Sequence, residues 1–312
     1  MLHSLKITLF GKFNVLYGDE KINGMQAHKV QELFCYLLLS RRQPQSRETL
    51  AELFWESLPP ARSKKNLRQT LWRLQCILNQ DRPELSRLLL QTEGEWIQID
   101  PSHGFSLDIE EFENIYNKVK GRRARELSLD DFKTIQRAVT LYQGDLLEGW
   151  YYDWCVIERE RLQIMLLMLL DKLIQYCEVH HEFDNGLAYG AEILRRDRAY
   201  ERTHRQMMRL YYMAGDRTQA IHQYERCKAA LHEELDVAPS KRTQDLYEQI
   251  RADVFKPPLF ALKKTTAETP ELVSTLNDVL DRLDGFSQAL KEIRSQVKQE
   301  IATLQNNRSV RE

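Results

Sequence analysis

The chain has 312 residues, 42% hydrophobic and 29% charged, with only 12 Gly and 9 Pro. This excludes a disordered or collagen-like polymer and predicts a folded, mainly helical protein of two or three domains. The formal charge of −1 leaves attraction to a polyanion to local clustering rather than to the total. Cys35, Cys76, Cys155, Cys177 and Cys227 are odd in number and never closely paired, so they read as reduced packing residues rather than a disulfide framework or zinc site. The start Met1–Lys6 lacks a secretory pattern, and the longest apolar stretch, Ile164 to Leu170, is far below the roughly 20 residues a bilayer requires. The expectation is a cytoplasmic protein without membrane contact.

Leu5 to Glu20 reads as short strands with turns at Gly11 and Gly18-Asp19. Val30, Leu33, Phe34, Leu37 and Leu38 then recur at helical spacing, and that helix ends in the polar turn Ser40 to Pro44. Ser46 is the expected N-cap of a second helix with Leu50, Leu53 and Phe54 on one face. Pro59-Pro60 precedes a third helix, from about Arg62 to Leu78.

At roughly 100° per residue, Leu67, Leu71, Leu74 and Leu78 fall on one stripe of that third helix. Arg62, Lys65, Gln69, Trp72 and Arg73 then point outward, with Lys64 and Arg68 on the flanks. Lys and Arg neutralise phosphates, and Arg, Gln and Asn form paired hydrogen bonds with base edges. Leu88 to Ile99 alternates around Gly94 as a hairpin does, and Glu93 and Glu95 at its tip repel phosphate. Strands, three helices and a hairpin are the layout of a winged helix-turn-helix, with the third helix rather than the wing expected to read DNA.

Lys29 to Leu39, Ser46 to Trp55 and Ala61 to Leu74 resemble, in order, the OmpR/PhoB-type winged helix of the Streptomyces antibiotic regulatory protein (SARP) family. Leu141-Tyr-Gln-Gly-Asp-Leu-Leu-Glu-Gly-Trp150, with Trp154 and Glu158 to Leu162, is similar to the start of that family's bacterial transcriptional activation domain (BTAD). Gly215 to Lys228 and Glu234 to Ser240 are similar to its tetratricopeptide-like end. The resemblance implies sequence-specific binding to double-stranded promoter DNA, usually at direct repeats, and recruitment of RNA polymerase. Ser46, Arg47, Arg62, Lys64, Lys65, Arg68, Gln69, Trp72 and Arg73 are the expected DNA-binding residues.

Between His181 and Gly215 the spacing is about 34 residues, the tetratricopeptide period, and Gly186-Leu187 answers to Ala220-Ile221. Such repeats bind partners on a curved helical surface. Met165 to Leu170, Met207, Met208, Tyr211 and Tyr212 read as core.

A proline-bounded linker then leads to a heptad stripe, Leu272, Leu276, Val279, Leu283, Phe286, Leu290, Ile293 and Val297, with Leu304 still in register. An apolar seam of that length needs a partner. It predicts a homodimer through Leu276, Val279, Leu283, Phe286, Leu290, Ile293 and Val297, with folding back onto its own chain as the alternative. The expected organisation is a winged helix over residues 1–103, a BTAD with repeats over 104–255, a linker over 256–270 and a coiled coil over 271–306.

Catalysis is not expected. His180-His181-Glu182 lacks zinc-protease spacing, His28 and His103 are isolated, no Ser or Cys sits in a recognisable nucleophile turn, and no Gly-rich phosphate loop occurs. No cofactor or metal is expected. The rival to a regulator is a repeat-and-coil scaffold, or a small-effector sensor, whose winged helix binds DNA weakly or not at all.

Overall fold

The computed structural model describes residues 5–80, 85–100 and 105–256; the predicted coiled coil and most of the linker lie outside them. The protein is mainly α-helical. Strands β1 (Leu5–Thr8), β2 (Asn14–Tyr17) and β3 (Glu20–Lys21) form an antiparallel meander. Leu5 and Ile7 enter the core and Lys6 faces water, as the period of two requires. Helix α1 (His28–Leu39), strand β4 (Gln45–Ser46) and helices α2 (Arg47–Trp55), α3 (Pro60–Asn79) and α4 (Leu85–Leu89) follow. Strands β5 (Leu90–Glu93) and β6 (Trp96–Ile99) make the hairpin, and β4 pairs with β6 in the order β4-β6-β5. Strand β7 (Phe105–Leu107) returns to the first sheet parallel to β1, giving β3-β2-β1-β7.

Three local expectations need correction. The hairpin ladder starts at Leu90 opposite Ile99, not at Leu88, and Leu85–Leu89 is helical. Leu89 and Leu90 are consecutive and both buried, which a one-sided strand cannot achieve. Leu53 is 43% exposed, because the α2 stripe centres on Leu50 and Phe54 and leaves it at the margin. The polar turn after α1 hides Arg41, which is only 2% exposed.

Helices α5 (Asp108–Val119), α6 (Leu129–Leu141), α7 (Asp153–His180), α8 (Phe183–Arg196), α9 (Glu201–Met213), α10 (Arg217–Leu235) and α11 (Lys241–Arg251) complete the described chain. A capping box between Ser128 and Asp131 starts α6. The 34-residue period is visible as α8 and α10, each paired with the helix after it. Helices α7, α9 and α11 lie side by side in one layer, and α8 and α10 cover them. Along α7 the expected core run is broken. Met168, like Ile164 just before the run, faces outward, since six consecutive helical residues cannot all face one side.

The period places small residues where helices cross. Gly186 and Ala220 are both buried. A Cβ on Gly186 would stand 2.9 Å from Leu210 Cδ1 and 3.1 Å from Cys177 Cβ. Gly186→Val is therefore expected to separate α8 from α7 and α9 at a cost of about 1–3 kcal/mol. A thermal melt followed by circular dichroism, with an unchanged midpoint, would contradict that.

One continuous apolar core runs from Leu5 in the first sheet to Leu210 in α9, and the whole of residues 5–256 lies in one compact unit. Its seam is densely polar as well. Leu9 N and Phe10 N donate to the buried Asp108 carboxylate at 2.9–3.0 Å. Phe10 also forms a β-bridge with Leu146, and Arg159 donates to the carbonyls of Leu146, Leu147 and Trp150. Tyr152 donates to the fully buried Glu32 of α1, and Trp154 meets Tyr36 edge to face at 5.5 Å. Glu113 of α5 receives Arg41 and Arg161 at 2.5 Å and Arg42 at 3.1 Å.

Candidate nucleic-acid interface

Helix α3 is built to show one face. Pro60 occupies its first turn, where a missing N–H costs nothing. Ser63 Oγ closes the junction with α2, lying 3.1, 3.2 and 3.3 Å from the carbonyls of Trp55, Leu58 and Pro59. Leu67, Leu71, Leu74 and Leu78 are all buried, as their spacing predicts, together with Ile77. The helix is 20 residues long, or about 30 Å at 1.5 Å per residue.

Arg62, Lys65, Arg68, Gln69, Trp72 and Arg73 are exposed. Among the described residues no ion pair or side-chain hydrogen bond engages them. Trp72 is 67% exposed, a large apolar surface with no packing role on this side. Helix α3 contains no Asp or Glu, so the outward field is positive along its length.

Lys64 differs from its neighbours. Its Nζ lies 3.0 Å from Glu48 of α2, and this hydrogen bond together with the Glu48 charge raises its pKa. Ser46 Oγ is engaged as the α2 cap, accepting from Thr49 N at 2.9 Å. Arg47 reaches the wing: its Nε donates to Gly94 O at 3.0 Å and its backbone N to Glu95 O at 2.8 Å. The turn there needs Gly94, whose φ is +56°. Six of the nine nominated residues thus share one open face, while Lys64, Ser46 and Arg47 each have a partner within the protein. The heptad residues from Leu276 to Val297 lie outside the described part.

Sequence reading passed over Trp96, 52% exposed on β6 beside the wing tip. The alternation in Trp-Ile-Gln-Ile, with Ile97 and Ile99 buried, assigns Trp96 to the outer face and was the available signal. Cys76, read as a packing residue, is exposed one turn beyond Trp72, whereas the other four cysteines are buried.

In overall fold the chain is similar to Mycobacterium tuberculosis EmbR, solved in complex with a low-affinity phosphopeptide. The TM-score is 0.68 at 17% identity, over 88% of this chain and 71% of that one. The family model described as bacterial transcriptional activator domain matches residues 107–251. Residues 107–251 thus carry a bacterial transcriptional activator domain, in a chain whose overall fold is similar to that of EmbR. No curated protein matches it by sequence. The activator domain begins at the last residue of β7, so the strand that enters the domain also closes the N-terminal sheet. The Leu141 to Trp150 block, quoted above for its resemblance, is the part of the activator domain that bridges to Phe10. Among the described residues no helix is long and apolar enough to cross a membrane.

Proposed function

We propose that this regulator binds double-stranded promoter DNA by laying the outward face of α3 in the major groove. The observation that carries the reading is the unpaired, acid-free row of Arg62, Lys65, Arg68, Gln69, Trp72 and Arg73. Arg62, Lys65 and Arg68 neutralise phosphates near the start of the helix. Gln69 and Arg73 reach base edges, and Trp72 offers an apolar surface to a thymine methyl. Arg47 keeps its Nη groups open toward the backbone while its Nε holds the wing. Ser46 and Lys64 sit beside it as flanking contacts.

In this reading the 271–306 heptad pairs two chains, so that one bound half-site raises the effective concentration for the next. The activator domain recruits RNA polymerase, and the protein acts in the cytoplasm as an activator.

Fluorescence anisotropy with duplex DNA at several salt concentrations tests the reading. Affinity should fall steeply as salt rises. Lys65→Ala with Arg68→Ala should weaken binding about 10–100-fold and reduce the salt slope by about two, with an unchanged circular dichroism spectrum. A flat salt response, or the same affinity in the double variant, would instead favour the scaffold.

A further inference from the structure

Helix α9 carries Arg202, Arg205 and Arg209 at intervals of three and four residues, which puts them on one face. Thr203, His204, Met207, Met208 and Leu210 occupy the other side and are buried, with Met207 against Gly190, Leu210 against Gly186 and His204 bonded to Gln223. The arginines therefore lie on the side of α9 turned away from α8 and α10, between α7 and α11.

The acids in contact with these arginines are already committed. Glu178 of α7 is held by both Nε and Nη2 of Arg209, at 2.6 and 2.9 Å. Asp171 accepts from Arg202 and Gln206 at 2.8 Å and from Gln175 at 2.5 Å. Glu201 accepts from Ser240 N at 2.8 Å, Ser240 Oγ at 2.7 Å and the Thr243 hydroxyl. It lies 3.5 Å from Arg205 Nη1, which itself donates to Thr243 Oγ1 at 2.9 Å. Arg205 Nε and Nη2 have no partner among the described residues, and neither does the exposed Arg242 on the first turn of α11. Burial and the charges of Arg242 and Arg209 together push the Arg205 pKa down against the pull of Glu201. Around Arg205 the cations Arg242 and Arg209 thus outnumber the one carboxylate acting on it, Glu201, while Asp245 lies one turn beyond Arg242 on α11.

We propose that this face of α7, α9 and α11 binds an acidic peptide segment of a partner protein, whose carboxylates are taken by Arg205 and Arg242 with Arg202 flanking. The paired donors of a guanidinium suit a carboxylate. The interspersed Asp171, Glu178 and Glu201 suit separated carboxylates and disfavour the continuous charge of a nucleic acid. The surface is separate from α3 and stands independently of the DNA-binding proposal.

The test uses the full chain and three fluorescein-labelled probes: a peptide of alternating Asp and Ser, its Asn-Ser counterpart, and a single-stranded oligothymidylate of equal length. The Asp-Ser peptide should bind and the Asn-Ser peptide should not. Arg242→Gln should weaken that binding about threefold, and Arg205→Gln with Arg242→Gln about tenfold or more. Duplex DNA affinity should stay unchanged in both variants. Arg242 is exposed, so its single variant reads the proposal even if Arg205→Gln disturbs folding. Absence of Asp-Ser binding, equal binding by the Asn-Ser peptide, tighter binding of oligothymidylate lost in the same variants, or indifference to Arg242→Gln would each overturn it.

Discussion

Replacing Glu113 by Ala is expected to lower the unfolding free energy by about 3–5 kcal/mol, because it removes the carboxylate that compensates a buried cation. Glu113 and Arg41 are both almost fully buried, and Arg42 and Arg161 converge on the same carboxylate. Arg41 precedes α2 and α3 while Arg161 belongs to α7, so the loss is felt on both sides of the seam. The exposed Arg42 and Arg161 contribute less, since water replaces part of what they lose.

Burial alone would raise the Glu113 pKa, but the Arg161 hydrogen bond and the charges of Arg41 and Arg161 outweigh it and hold the carboxyl below its ordinary value. The sign follows directly. Stability from this group is fully present above its unfolded pKa of about 4.3 and is lost as pH falls through the lower folded value. Urea unfolding of the wild type and of Glu113→Ala at neutral and acidic pH measures both effects. A variant that matched the wild type at pH 7, or a difference that widened on acidification, would refute the assignment.

Asp108→Ala is expected to cost about 2–5 kcal/mol, since it strands two buried backbone N–H groups at about 1–3 kcal/mol each. Leu9 N and Phe10 N, from the first sheet, point at its oxygens, and so does Ile109 N at 2.8 Å. Asp108→Asn retains an acceptor and should lose less than Asp108→Ala. Burial raises the Asp108 pKa more than the N–H groups of Phe10, Leu9 and Ile109 lower it, so this carboxyl works in the opposite sense to Glu113. Its contribution is largest below its unfolded pKa and declines as pH rises through the folded value. Denaturation midpoints of the two variants at pH 7 test the ranking, and equal midpoints would show that the backbone donors find other partners.

Glu113 and Asp108 also mark the limit of what could be read from the sequence. The α3 stripe was legible because Leu67, Leu71, Leu74 and Leu78 obey a single helical period and no acid interrupts the other face. The Ser46 cap and the Gly94 turn were legible because each is a local demand of the backbone. Arg41, by contrast, sits in a run of polar turn residues, and its carboxylate is 72 positions away. Nothing within one helical turn announces that it is buried. Strand β7 is three residues long, too short for an alternation to register, and its parallel partner lies at the other end of the winged helix. Met168 was misplaced because an unbroken apolar run conceals which residues a helix turns outward. The open row of α3 was thus predictable, whereas its attachment to the rest of the chain was not.

That attachment ties the fate of α3 to the repeats behind it. With β7 completing the first sheet and Leu5 and Leu210 in one core, a cut just after the wing would strip the sheet of an edge strand and uncover the Asp108 donors. The two halves therefore melt as one, and any ligand gripping only the native repeats raises the population of intact α3 by mass action. A ligand held by the repeats need not act along a pathway to be felt at α3: occupancy and survival share a single folding equilibrium.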